Sequence, residues 1–264
     1  MNAFFDRIRR RQGEVNSLLC VGLDPDPDRI PGVFLSQDKP VFAFNKMIID
    51  ATADYACCYK PQFAHFAAVG AEAELQLTID YIQSLGIPVI LDAKRGDVGS
   101  TGDFYAREAF DRYHADAVTA NPYMGSDSLK PLLEREDKGV LLLCRTSNLG
   151  GADLQNLVLA TGEQLFERVA DLAANQWNKN SNVGLVVGAT QPEELARVRQ
   201  ITGDMTLLLP GIGAQGGDIK ASLAAGQGGG VIISASRSIL YPQAMSPEQA
   251  AQATRDEINR HHRA

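Results

Sequence analysis

Short apolar runs alternate along the chain with stretches whose apolar residues recur at helical spacing. Eight runs recur: SLLCVGLD (17–24), YACCYK (55–60), PVILDAK (88–94), AVTANPY (117–123), VLLLCRTS (140–147), VGLVVGAT (183–190), TLLLPGIG (206–213) and GVIISAS (230–236). The clearest helical patterns between them cover 40–56, 70–86, 101–114 and 161–177. Strands covered on both faces read as continuous Val, Ile and Leu, so the runs predict buried parallel strands. Eight strand–helix repeats predict a single α/β domain over 1–264, a (β/α)8 TIM barrel, with a doubly wound open sheet as the alternative. Before the first run, Phe4, Phe5 and Ile8 predict an N-terminal helix with one apolar face. The longest stretch without clear periodicity, NLGGADLQNLVL (148–159), follows the fifth run, where Gly150 and Gly151 could serve a mobile lid.

Several of these runs end in polar residues. LDAKRGD places Asp92, Lys94, Arg95 and Asp97 directly after an apolar run, and Asp92 and Lys94, two apart, share a strand face. In a barrel the C-terminal strand ends form the active-site mouth, so Asp24, Lys60, Asn121 and Ser147 converge with them there. A salt-bridge network that merely closes the barrel is the bland alternative. Two lysines and three aspartates exceed what closure needs, given the cost of desolvating charge.

A second cluster lies near the chain's end. PGIGAQGGDIK is a strand followed by glycines and a helix start, which leaves backbone N–H groups uncovered around Gly216 and Gly217. Ser236 and Arg237 end the eighth run, and the loops after barrel strands seven and eight often hold phosphate, so a phosphate monoester is expected. The glycines at 226–230, before the eighth strand, read as a tight turn instead.

Composition narrows the class. The chain has 264 residues, 45% of them hydrophobic and 22% charged, and a net charge of −7, which argues against a broad nucleic-acid surface. No apolar stretch approaches the length of a membrane span, and the arginine-rich N-terminus lacks the apolar segment of a signal peptide. Cys20, Cys57, Cys58 and Cys144 have neither zinc nor disulfide spacing, which suits a reducing cytoplasm. The four histidines, Trp177 and the Cys57–Cys58 pair read as background.

With those residues in view, DAKRGDVGST resembles the Asp-x-Lys-x-x-Asp signature of the orotidine 5′-phosphate decarboxylase family. YKPQFAHF and DAKRGD are similar to its type 2, mostly bacterial subfamily, and the resemblance runs from VGLDPD to SRSIL. It implies conversion of orotidine 5′-monophosphate to UMP and CO₂, the last step of de novo UMP synthesis, with no cofactor and no metal. It makes Lys94 the catalytic lysine, with Asp92, Asp97 and Lys60 in an alternating charge network. Asp24 and Lys60 would hold the ribose, Ser147 the pyrimidine, and Gln215 and Arg237 the phosphate. It also implies a homodimer in which Asp97 and Thr101 reach into the partner's site.

The chemistry agrees with that assignment. Loss of CO₂ from C6 leaves an in-plane carbanion that no neighbouring carbonyl delocalises, so a fixed cation and then a proton are needed, and Lys94 can supply both. A magnesium-dependent sugar-phosphate decarboxylase or aldolase on the same barrel is a rival, opposed by two lysines in the cluster. A Schiff-base role for Lys94 is disfavoured by its carboxylate neighbours. A non-catalytic pyrimidine-nucleotide sensor would bind UMP without turnover.

Overall fold

Each apolar run forms one strand: β1 (Leu19–Leu23), β2 (Cys58–Pro61), β3 (Ile90–Arg95), β4 (Ala117–Ala120), β5 (Gly139–Arg145), β6 (Val183–Val187), β7 (Leu207–Pro210) and β8 (Val231–Ala235). The computed structural model describes residues 3–211 and 218–262. All seven ladders are parallel, in the order β2-β1-β8-β7-β6-β5-β4-β3. Bridges from Tyr59 to Val89 and from Gln62 to Asp92 join β2 to β3 and close the sheet on itself. The closed barrel, rather than the open sheet, is the arrangement adopted.

Closure turns the two-residue period of a strand into layers. Cys20, Cys58, Ile90, Ala117, Leu141, Val186, Leu208 and Ile232, one from each strand, form an interior apolar layer. Helix α1 (Ala3–Val15) plugs the end of the barrel below it with Phe4, Phe5 and Ile8, all buried. The absence of a side chain at Gly139 admits the plug, since a Cβ there would overlap the Phe4 ring. Phe4→Ala is expected to cost about 3–5 kcal/mol of stability, read by urea denaturation.

Two residues further along each strand, the next inward positions include Lys60, Asp92 and Thr119 on three adjacent strands. The period that fills the floor with apolar side chains therefore carries the charges to the mouth.

Helices cover the outer face. Pro40 opens the helix Pro40–Thr52, and Glu72–Ser84 packs beside it. The predicted helix over 101–114 begins earlier, at Gly99–Arg107, and widens into a π turn at Glu108–Arg112. The pattern over 161–177 becomes helical only at Leu165, where Gln164 and Glu167 form a capping box. The segment after β5 is not structureless: a 3-10 turn at Leu149–Gly151 leads into the helix Ala152–Gln155. The glycines at 226–230 curl around buried Arg199, which donates to the carbonyls of Gly226 and Gly230, so their role is packing. All four cysteines are buried and unpaired. Among the described residues no helix is long and apolar enough to cross a membrane.

Candidate active site

Asp92 lies at the centre of the mouth, 6% exposed, with both oxygens engaged. Lys60 Nζ donates to Oδ2 at 2.8 Å, and Lys94 Nζ donates to Oδ1 at 2.6 Å. Thr119 Oγ1 donates to the same Oδ1 at 2.8 Å. Lys60 is buried at 7% exposure, whereas the Lys94 side chain is 45% exposed and faces the opening. One cation is thus committed to the interior, and the other remains reachable by a ligand.

The electrostatics follow from that geometry. Burial alone would raise the Asp92 carboxyl; the Lys60 and Lys94 charges, with their hydrogen bonds, override it and hold Asp92 well below the usual carboxylate range. Burial alone would lower the Lys60 ammonium; the charges of Asp92 and then Asp24 override it and hold Lys60 well above the usual lysine value. A depressed carboxyl adds stability that is complete above its unfolded value of about 4 and is lost as pH falls through its lower folded value. A raised lysine adds stability that is complete below its unfolded value of about 10.4 and is lost as pH rises through its higher folded value. Asp92 should therefore show no titration step in its carboxyl ¹³C resonance from roughly pH 9 down through 4. A step centred near 4 would mean that the lysines do not hold it.

Lys94 reaches this position through an irregularity in β3. Leu91 pairs with Val118 and Arg95 with Ala120, so three residues of β3 stand opposite Thr119 alone. Lys94 takes a positive φ of 49° within this bulge. Regular period-two alternation predicts the right face for Lys94, but the bulge is what turns it back onto Asp92. Arg95 anchors the exit, bound to Glu108 and lying over the Phe63 and Tyr105 rings.

The other predicted residues differ in burial and partners. Asp24 is half-buried, and its Oδ1 is a buried atom with no partner among the described residues. Ser236 Oγ is in the same condition, seated against the bare Cα of Gly22, where a Cβ would lie 2.9 Å from Ser236 Cβ. Arg237 is exposed at the start of the helix Arg237–Leu240 and forms no ion pair among the described residues. Ser147 is half-buried, and Thr190 Oγ1 donates to its carbonyl at 3.4 Å. Asn121 is exposed, and its Oδ1 accepts from Tyr123 N at 3.0 Å, capping a short turn. Asp97 is half-buried, accepts from Val98 N and, among the described residues, pairs with no cation of its own chain. Thr101 is exposed on the helix that follows, near exposed Val98 and Phe104. Gln215 and Gly216 lie outside the described residues. Among the described residues no three His, Cys, Asp or Glu side chains are grouped to hold a metal.

The model of the orotidine 5′-phosphate decarboxylase / HUMPS family matches residues 17–254, a span that includes every strand of the barrel and the whole charged mouth. The chain belongs to this family. An orotidine 5′-phosphate decarboxylase from Aromatoleum aromaticum is 55% identical over 98% of this chain and 99% of its own length. The solved OMP decarboxylase of Leishmania donovani superposes with a TM-score of 0.88 at 44% identity, covering 99% of this chain and all of that one. The UMP synthase of Leishmania donovani matches all of this chain with 57% of its own length, at a TM-score of 0.90 and 46% identity.

Two features of this family member escape its sequence motifs. Thr119 is a polar residue within an apolar run, on the same strand face as Asn121; that parity is the signal that could have found it. Arg145, buried at the end of β5, lies 2.7 Å from Glu194, which also accepts from Asn156. Gln155 closes the same loop by accepting from Thr146 N at 2.8 Å. These tether the segment after β5 at its far end and leave Leu149, at its tip, 95% exposed.

Proposed function

We infer that the chain decarboxylates orotidine 5′-monophosphate to UMP and CO₂, the last step of de novo UMP synthesis. The observation that carries this reading is the Lys60–Asp92–Lys94 array, with one lysine buried and the other open to a ligand. The C6–carboxyl bond breaks, its electron pair stays on C6, and CO₂ departs. Lys94, held as an ammonium beside C6, stabilises that pair and then delivers its proton to it; solvent reprotonates the amine. Asp92 fixes the ammonium, and Lys60 keeps Asp92 charged and in place.

Asp24 and Lys60 bind the ribose, and the unpartnered Asp24 Oδ1 supports this, since a buried acceptor without a donor is costly until a hydroxyl fills it. Ser147 binds the pyrimidine, and Asn121 belongs to the substrate-binding mouth. Gln215, Gly216, Ser236 and Arg237 take the phosphate. Asp97 and Thr101 act in the site of a second copy, completing a homodimer; Asp97, which pairs with no cation of its own chain among the described residues, and the exposed Val98 and Phe104 support it. The protein is a type 2, single-barrel, cytoplasmic enzyme that acts without cofactor or metal.

The test is conversion of orotidine 5′-monophosphate to UMP in EDTA, with UMP identified by chromatography. Full activity in chelator is expected; activity restored only by magnesium would favour the metal-dependent lyases of this barrel. For the dimer, mixing Lys94→Ala with Asp97→Ala chains should rebuild one intact site per mixed pair and return up to about a quarter of wild-type activity. Two folded, silent variants that stay silent on mixing would contradict sharing.

A further inference from the structure

The β3 bulge takes the Lys94 amide out of the regular β3–β4 ladder. A non-glycine residue at φ 49° stays there only when its surroundings hold it. Here the holder is a side chain: Lys94 N–H donates to Thr119 Oγ1 at 3.0 Å. The same hydroxyl is 2.8 Å from Asp92 Oδ1. An amide can only donate, so Oγ1 accepts from Lys94, and its single proton is left for the carboxylate. The direction of both bonds is thereby fixed. Thr119 is 2% exposed, and the Asp92 oxygen it binds is the one that receives Lys94 Nζ. One buried hydroxyl therefore controls both ends of Lys94, the backbone directly and the ammonium through Asp92.

We propose that Thr119 is a positioning residue for the decarboxylation, a role that rests on the reading of Lys94 and Asp92 given above. It holds the bulge closed and keeps the ammonium aimed at the reacting carbon. It touches neither the ribose rim at Asp24 nor the phosphate rim at Ser236 and Arg237, so its loss should act on turnover and spare binding.

Valine matches threonine in shape but can neither accept from Lys94 nor donate to Asp92; serine can do both. A misplacement of about 1 Å at a reacting group costs on the order of a hundredfold in rate. Thr119→Val should lower kcat by roughly that factor, with KM for orotidine 5′-monophosphate and the affinity for UMP within about threefold of wild type. Thr119→Ser should recover most of kcat.

The experiment measures kcat, KM, UMP affinity and the thermal midpoint for wild type, Thr119→Val, Thr119→Ser and Lys94→Ala, with Thr119→Ala replacing the valine variant if that one does not fold. A valine variant within about threefold of wild-type kcat beside a silent Lys94→Ala overturns the Thr119 role alone. A serine variant as slow as valine, or a loss confined to KM, also overturns it, because the hydroxyl would then not be what matters. An active Lys94→Ala removes the reading of the site beneath it, and the Thr119 role falls with that reading.

Discussion

Lys94→Ala should fold, bind UMP and convert orotidine 5′-monophosphate at least about a thousandfold more slowly than wild type. The floor on that loss comes from electrostatics: a unit cation ~4 Å from a developing carbanion, at an effective dielectric of ~20, is worth about 4 kcal/mol. Loss of the proton donor adds a further 10²–10⁴-fold, so a combined loss of about 10⁵-fold or more is expected in kcat. Binding should suffer less, since the Lys94 side chain is half-open and Asp92 keeps its second cation in Lys60 at 2.8 Å. Stability should barely change for the same reason. Rapid-quench turnover with UMP calorimetry on the same sample separates the two effects. A variant that decarboxylates within tenfold of wild type would remove the lysine from the mechanism.

Arg237→Ala should lower kcat/KM on the nucleotide by roughly 30- to several thousandfold, the range for losing one partner of a desolvated charge pair. The bare nucleoside, orotidine, should react with the variant and the wild type alike. One cation near the carbanion falls well short of the ~20 kcal/mol that the largest enzymatic accelerations require. The rest is drawn from remote binding energy that closes and dries the site, and the phosphate is the most strongly charged remote handle on the substrate. Arg237 suits this role because it is exposed, has no ion pair among the described residues, and follows Ser236, whose buried hydroxyl also lacks a partner there. Equal losses on nucleotide and nucleoside would instead place Arg237 in the general architecture of the mouth.

Much of this was legible in the sequence because a barrel obeys two short periods. Runs such as VLLLC and VGLVV announce strands covered on both faces, and all eight appear where the pattern puts them. The alternation that seats Cys58 and Ile90 in the floor also places Lys60 and Asp92 above it, so a charge two residues past an apolar inward position is informative. Lys94 is a different case. Its parity is right, yet its side chain reaches Asp92 through a bulge set by pairing with β4, a tertiary event with no local signal in DAKRGD. The same holds for Thr119, whose importance depends on lying opposite that bulge. Helix starts were blurred where capping chemistry overrides periodicity, as at Gln164 and Glu167. The segment after β5 shows no clear periodicity because its order comes from Gln155 and Asn156 reaching Thr146 and Glu194, contacts that no pattern records.

The most direct measurement supplies the wild-type protein, in EDTA, with orotidine 5′-monophosphate labelled at the carboxyl carbon and counts the label released against the UMP formed. The charged mouth predicts one labelled CO₂ for each UMP, and release slowed by about 10⁵-fold or more from Lys94→Ala. Label retained in the nucleotide by a folded wild-type protein would contradict the decarboxylase reading at its root.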